Sequence, residues 1–265
     1  MDLNLAGQVA FITGASKGIG YQVAKHLGDE GVSCVITGRD DDNLQKAATE
    51  LSEATGQEIV GFAGDMSKSE DVERCVQAAL EKFGKIDILV TCAGSSPGGL
   101  LEELTDEQWH SSLNLKFMGY VRSVRAVIPQ MVKQGKGTII LVVGNDGLKP
   151  SFWEMTAGAA NAADLNFASS IADQYGPKGV RVNTVNPGPV DTDRWDTLEK
   201  AFARDMGVSQ DEARKAAERS VPIGRITQPE EVAALVTMLC SDKVGAVHGA
   251  HIPIDGAQRK PLMER

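Results

Sequence analysis

Two sets of residues in this chain have types and spacings that could do chemistry. The first is Thr13-Gly14-Ala15-Ser16-Lys17-Gly18-Ile19-Gly20, which follows an apolar run and opens an amphipathic stretch. In such a turn Gly14 permits the tight reversal and Gly18 lets the backbone approach a pyrophosphate. Gly20 lets the next helix pack closely on the sheet, and that helix's N-terminus faces the anion. Its place at the first strand-to-helix connection separates it from a merely glycine-rich turn. The second set lies between Gly144 and Asp164, where Asp146, Lys149, Glu154 and Asp164 could exchange a proton with a ligand. Each also has a plain structural reading. Glu154 can close a capping box with Ser151, Asp146 and Lys149 can be loop surface, and Asp164 can face solvent. Trp153 and Met155 read as pocket wall or core.

Positioning these groups requires a scaffold, and the apolar pattern supplies one. Strands are expected at Val9–Thr13, Ser33–Thr37, Ile59–Ala63, Ile86–Val90, Thr138–Val143, Val180–Val185 and His251–Ile254. Longer segments with helical spacing separate them, so the rhythm predicts a doubly wound α/β Rossmann fold. Its parallel sheet would have seven strands, with helices on both faces. Helix starts are expected at Ser67-x-x-Glu70, Thr105-x-x-Gln108, Ser151-x-x-Glu154 and Thr227-x-x-Glu230. No repeat or Pro/Gly-rich linker divides the chain, so residues 1–265 read as a single domain. The polar stretch 193–220 interrupts the rhythm and reads as a helical lid inserted over a site.

Composition narrows the partners. Apolar residues at 42% allow a sizeable core, and a net charge of −9 without a Lys/Arg cluster argues against nucleic acid. Cys34, Cys75, Cys92 and Cys240 form no CxxC pair and no His cluster joins them, so neither a metal nor a disulfide framework is expected. The N-terminus lacks a basic region followed by an apolar one, and no apolar run approaches the ~18 residues of a membrane span. A cytoplasmic protein, with no membrane partner, is the expectation.

The glycine turn, Thr-Gly-x-x-x-Gly-x-Gly, resembles that of the short-chain dehydrogenase/reductase family, classical type, and further matches follow in order. They are Asp65 after the third strand, Cys92-Ala93-Gly94 (with Cys for the family's Asn), Asn114 in Leu113-Asn114-Leu115-Lys116, and Arg181-Val182-Asn183-Thr184-Val185-Asn186-Pro187-Gly188. Pro229-Glu230-Glu231-Val232-Ala233 and Ile254-Asp255-Gly256 complete a likeness that spans about residues 7–256. The resemblance implies a nicotinamide dinucleotide. It would be held by Gly14, Ser16, Lys17, Gly18, Ile19, Gly20, Arg39, Asp65, Met66, Cys92, Ala93, Gly94, Asn161, Pro187, Gly188, Val190 and Thr192. Arg39 and Lys17 favour NADP(H) over NAD(H), whereas Asp40, Asp41 and Asp42 pull the other way. A homodimer or homotetramer is implied, or a hetero-oligomer with an active relative.

The resemblance also implies a Ser, a Tyr and a Lys that work with an Asn on a carbonyl or alcohol. Counting back from Gln174-Tyr175-Gly176-Pro177-Lys178-Gly179 puts Gly144, Ala157 and Asn161 at the Ser, Tyr and Lys positions. The tyrosines are Tyr21, Tyr120 and Tyr175, so no shift of register restores the set. Asn114 alone is kept, with Asp146 and Glu154 as candidate substitutes. The expectation is a cofactor-binding protein without the family's ordinary reductase mechanism, such as a non-catalytic subunit. The alternatives are a lyase, hydrolase or isomerase using the same pocket on an unknown small molecule, or an oxidoreductase with a substitute proton donor.

Overall fold

A computed structural model describes residues 1–258. Seven strands form one sheet in the order β3-β2-β1-β4-β5-β6-β7, and every neighbouring pair is parallel. They are β1 (Val9–Thr13), β2 (Ser33–Gly38), β3 (Ile59–Ala63), β4 (Ile88–Thr91), β5 (Gly137–Val142), β6 (Val180–Pro187) and β7 (His251–Ile254). The order reverses between β1 and β4, and a crevice at the carboxyl ends of the strands follows from that reversal.

Helices on both faces explain the continuous apolar strands: β1, β4 and β5 are buried at every residue, as a parallel sheet covered twice requires. On one face α1 (Gly18–Asp29), α2 (Asp41–Thr55) and α9 (Pro229–Cys240) enclose a core that includes Ile12, Leu27, Ile36, Leu51 and Val236. On the other, α3 (Ser69–Phe83), α5 (Phe117–Gln134) and α6 (Met155–Tyr175) bury Phe11, Val76, Leu89, Met131 and Leu165. The short α4 (Asp106–Leu115) leads into α5 and packs on α6. A third cluster joins Trp153 to Trp195, Phe202 and Ala203 of α7 (Asp193–Met206) and to Ala213 and Ala217 of α8 (Gln210–Ser220).

Several local expectations change. β4 starts at Ile88 rather than Ile86, and Asp87 just before it is tied to β1, its amide donating to the Val9 carbonyl and its carboxylate accepting from the Val9 amide. Thr105 and Gln108 do close a capping box. Ser67 does not, because its amide is taken by Asp65 and the helix begins at Ser69. Thr227 turns instead to the Ile254 carbonyl, and Glu231 rather than Glu230 accepts from a backbone amide, that of Gln228. Ser151 folds its hydroxyl under the amides of Trp153 and Glu154, which leaves the Glu154 carboxyl out of any cap. A further box, Ser209 with Glu212, opens α8.

Candidate active site

A cavity of about 740 Å³ runs along the carboxyl ends of the strands, from Arg39 beyond β2 to Gln258 beyond β7. At its first end the wall is backbone. Gly14 has φ +65°, and a Cβ there would lie 2.6 Å from the Ala93 Cα; one on Gly20 would lie 2.4 Å from the Gly14 carbonyl oxygen. The Thr13 hydroxyl accepts from the amides of Cys92 and Ala93, each at 3.2 Å, so the turns after β1 and β4 are fastened together. Lys17 begins α1 without a side-chain cap, which leaves the amides of that helix end free for a ligand anion. A cradle that only glycines permit, closed by a bare helix end, fits a pyrophosphate.

At the far end the wall is made of side chains. The Asn161 amide donates to the Asp146 carboxylate, and the turn at residues 144–147 lies flat on α6. Glycines allow that approach. A Cβ on Gly147 would meet the Asn161 backbone at 2.8 Å, and one on Gly144 would meet the Asp146 carboxylate at 2.6 Å and the Asn161 amide nitrogen at 2.7 Å. The space a residue 144 side chain would need is therefore filled by the Asp146–Asn161 pair. Ala157 lines the cavity one turn before Asn161, with Glu154 beside it at the helix start.

Burial pushes the Glu154 carboxyl up to about 7, and the Asp146 charge adds to the rise; Lys116 and Arg194 oppose it. Arg194, in the first turn of α7, donates to the Ser96 carbonyl, and burial lowers its pKa while Glu154 raises it. Behind the wall on α6, Asp164 is fully buried and neither carboxylate oxygen has a hydrogen-bond partner among the described residues. Burial raises it to about 8 against the pull of Lys116. Tyr120 is also buried, and its hydroxyl donates to the Val142 carbonyl at 2.8 Å. At Cys92 burial pushes the thiol up to about 12, so it stays protonated and inert.

All the residues that the resemblance gives to a cofactor line this one cavity, as do Gly144, Asp146, Glu154 and Ala157. Asn114 does not. Its side chain is exposed and accepts from Arg122 at 2.7 Å, because the break between α4 and α5 at Lys116 turns it outward. Glu154 and Asp164 also depart from their plain readings: the Glu154 carboxyl makes no capping bond and Asp164 is not at the surface. Lys116, Arg194, Asn145 and Gln258 are cavity residues that the spacing did not reveal. Arg194 alone left a trace, as a cation in a helix's first turn, where the dipole disfavours it.

Residues 8–202 match the short chain dehydrogenase family. The chain is 32% identical to the 3-oxoacyl-(acyl-carrier-protein) reductase FabG of Chlamydia trachomatis, over 95% of this chain and 97% of that one. It is 32% identical to the short-chain reductase protein NovJ of Streptomyces niveus, over 94% and 93%. Among solved structures it is similar to L-sorbose reductase from Gluconobacter frateurii complexed with NADPH and L-sorbose, with a TM-score of 0.91, 32% identity and full coverage of both chains. These relatives are named reductases, and they overturn the expectation of a non-catalytic or non-redox protein. That expectation took account of the register positions 144, 157 and 161. It kept Asp146 and Glu154 only as candidate substitutes and missed Arg194, which the fold brings to the same cavity.

Proposed function

This chain belongs to the short chain dehydrogenase family, and on that premise we propose that it is an oxidoreductase transferring hydride between a nicotinamide dinucleotide and a carbonyl or alcohol carbon. The observation that carries this reading is the protonatable Glu154 carboxyl in the wall of a cavity whose other end is a backbone anion cradle. When bound, the nicotinamide supplies or accepts the hydride. The chain itself supplies what remains. The glycine turn and the bare end of α1 would hold the pyrophosphate, and the turns after β4 and β6 would hold the nicotinamide end. Glu154 would hand its proton to the substrate oxygen on reduction and take it back on oxidation. A carboxyl near 7 suits both directions at neutral pH. Asp146, kept in place by Asn161, keeps Glu154 from losing its proton early.

NADP(H) is the proposed form of the cofactor, as in the complex named for the L-sorbose reductase. Two of the three acids after β2 are engaged within α2, which supports that reading. Asp40 caps α2 by accepting from the Asn43 amide at 3.0 Å, and Asp41 accepts from the Gln45 side chain at 2.9 Å. Arg39 is exposed at the cavity edge, available to a 2′-phosphate. We further read the chain as one domain in which α7 and α8 cover the substrate end, and α6 as the surface on which copies pair.

Glu154→Gln keeps the size of the side chain and removes the proton. Turnover of NADPH with a panel of ketones should fall about 10²- to 10⁴-fold, while cofactor affinity read by nicotinamide fluorescence stays unchanged. Turnover at the wild-type level in this variant would end the reading.

A further inference from the structure

Arg194 occupies a position that three physical effects disfavour. It is the second residue of α7, where the helix dipole repels a cation. It is partly buried in the cavity, which costs a charged group its water. It also lacks a carboxylate partner. Its one hydrogen bond, from Nη2, goes to the carbonyl of Ser96 in the loop after β4, and Nε and Nη1 have no partner among the described residues.

The acids around it are committed elsewhere. Asp191 pairs with Arg214 at 2.9 Å, and Asp193 pairs with Lys17 at 3.2 Å. Asp196 lies 3.8 Å from Arg214. Glu154 attracts Arg194 across the cavity, but the two make no ion pair within 4.0 Å. Asp146 is bonded to Asn161, and Asp255 to Lys149 and Asn145. A guanidinium that is disfavoured by its helix and its burial, with donors left open to a cavity, is arranged for an anion that arrives with a ligand.

We propose that Arg194 binds a carboxylate on the substrate, so that the compound reduced or oxidised in this cavity is a small oxo or hydroxy acid. The inference rests on the oxidoreductase reading and adds the substrate class to it. Arg194, bonded from α7 to Ser96, and Glu154, at the start of α6, line the same cavity. A substrate gripped there by its acid group would present its carbonyl toward residues 154–157. The hydrogen bond to Ser96 uses one Nη2 proton, and the second, together with Nε or Nη1, remains for the two oxygens of the ligand.

The test separates substrate from cofactor and binding from turnover. Kinetics would be measured on a series of linear α-oxo and β-oxo acids and their methyl esters with wild type, Arg194→Gln and Arg194→Lys. Wild type should prefer an acid to its ester. In Arg194→Gln the KM for the acid should rise roughly tenfold to hundredfold, with the ester unaffected and partial recovery in Arg194→Lys. Calorimetry with succinate and dimethyl succinate on the NADP⁺-loaded protein supplies a readout without chemistry. Succinate should bind wild type and not Arg194→Gln, and that result survives even if Glu154→Gln proves fully active. Equal use of acid and ester by wild type would overturn the proposal. So would an Arg194→Gln defect that appears as weaker cofactor binding, which would assign the guanidinium to the cofactor's phosphates.

Discussion

At the glycine turn after β1 the cavity wall is main chain: a positive φ at Gly14, two closely approaching turns and an uncapped helix end. At the other end, between β5 and α6, the wall is made of polar side chains, with Asp146 bonded to Asn161 and Glu154 in the field of Asp146, Lys116 and Arg194. A backbone cradle tolerates almost any side chain at its exceptions but none at its glycines. A side-chain wall can exchange members so long as charge and volume are balanced together. Gly144 illustrates the second rule, since its missing side chain leaves the space that Asp146 and Asn161 fill.

The comparison breaks most sharply at Glu154. If the reaction end works through one carboxyl near 7, kcat/KM for reduction should be level at low pH and fall above about 7 as the proton is lost. The oxidation rate should rise through the same point. Asp146→Asn removes the neighbouring negative charge and should move both limbs toward lower pH. Flat profiles in both directions would return the reaction end to a passive wall. At the other end, Gly14→Val puts a branched side chain onto the Ala93 backbone in a conformation L-residues avoid. Cofactor affinity by fluorescence should drop at least about 100-fold, a loss of roughly 2.7 kcal/mol, in a chain that stays folded by circular dichroism.

A smaller effect is expected at the outer edge of the cradle. Arg39→Ala should weaken NADPH binding by about tenfold to thirtyfold and leave NADH binding within about twofold, because a charge-assisted hydrogen bond contributes on the order of 1.5–2 kcal/mol. An equal loss for both cofactors would remove the case for NADP(H).

A last effect, on stability rather than on binding or turnover, is expected behind the reaction wall. The Asp164 pKa is raised in the fold from 3.8 to about 8. The folded chain then holds a proton that the unfolded chain releases, so its contribution is full below about 4 and is lost as pH rises toward 8. Asp164→Leu should therefore stabilise the fold, read as a rise in melting temperature, more at about pH 9 than at about pH 5, the gain in free energy being on the order of 1–3 kcal/mol. A gain independent of pH would mean that the carboxyl is solvated.

The two ends also differ in what their residues disclosed. Strands β1, β3 and β7 were legible to the residue: β1, covered on both faces, reads as an unbroken apolar run, while the partly buried edge strands β3 and β7 are short apolar runs. The glycine cradle was legible for a related reason: a backbone requirement writes itself into one residue type. Side-chain geometry left no such mark. Asn114 sits in a recognisable motif and yet turns outward at the break between α4 and α5. Ser151 and Glu154 have capping-box spacing, but the helix starts later and frees the carboxyl. Lys116, at the break between α4 and α5, and Arg194, in α7, both act on Glu154 through their charge, a proximity that only the packing of these helices creates.

Trp153 joins the loop after β5 to the helical pair beyond β6. Its ring is fully buried, edge-on to Phe202 at 5.7 Å, bonded through Nε1 to Asp205 at 2.9 Å, and so close to Gly98 that a methyl there would sit 2.2 Å from it. That placement gives the protein an internal optical probe. Indole emission from this seam, where Trp195 lies in the same cluster, overlaps the absorption of a reduced nicotinamide; with Trp109 replaced, loading of the cavity and any unseating of α7 can both be followed by light, without attaching a dye.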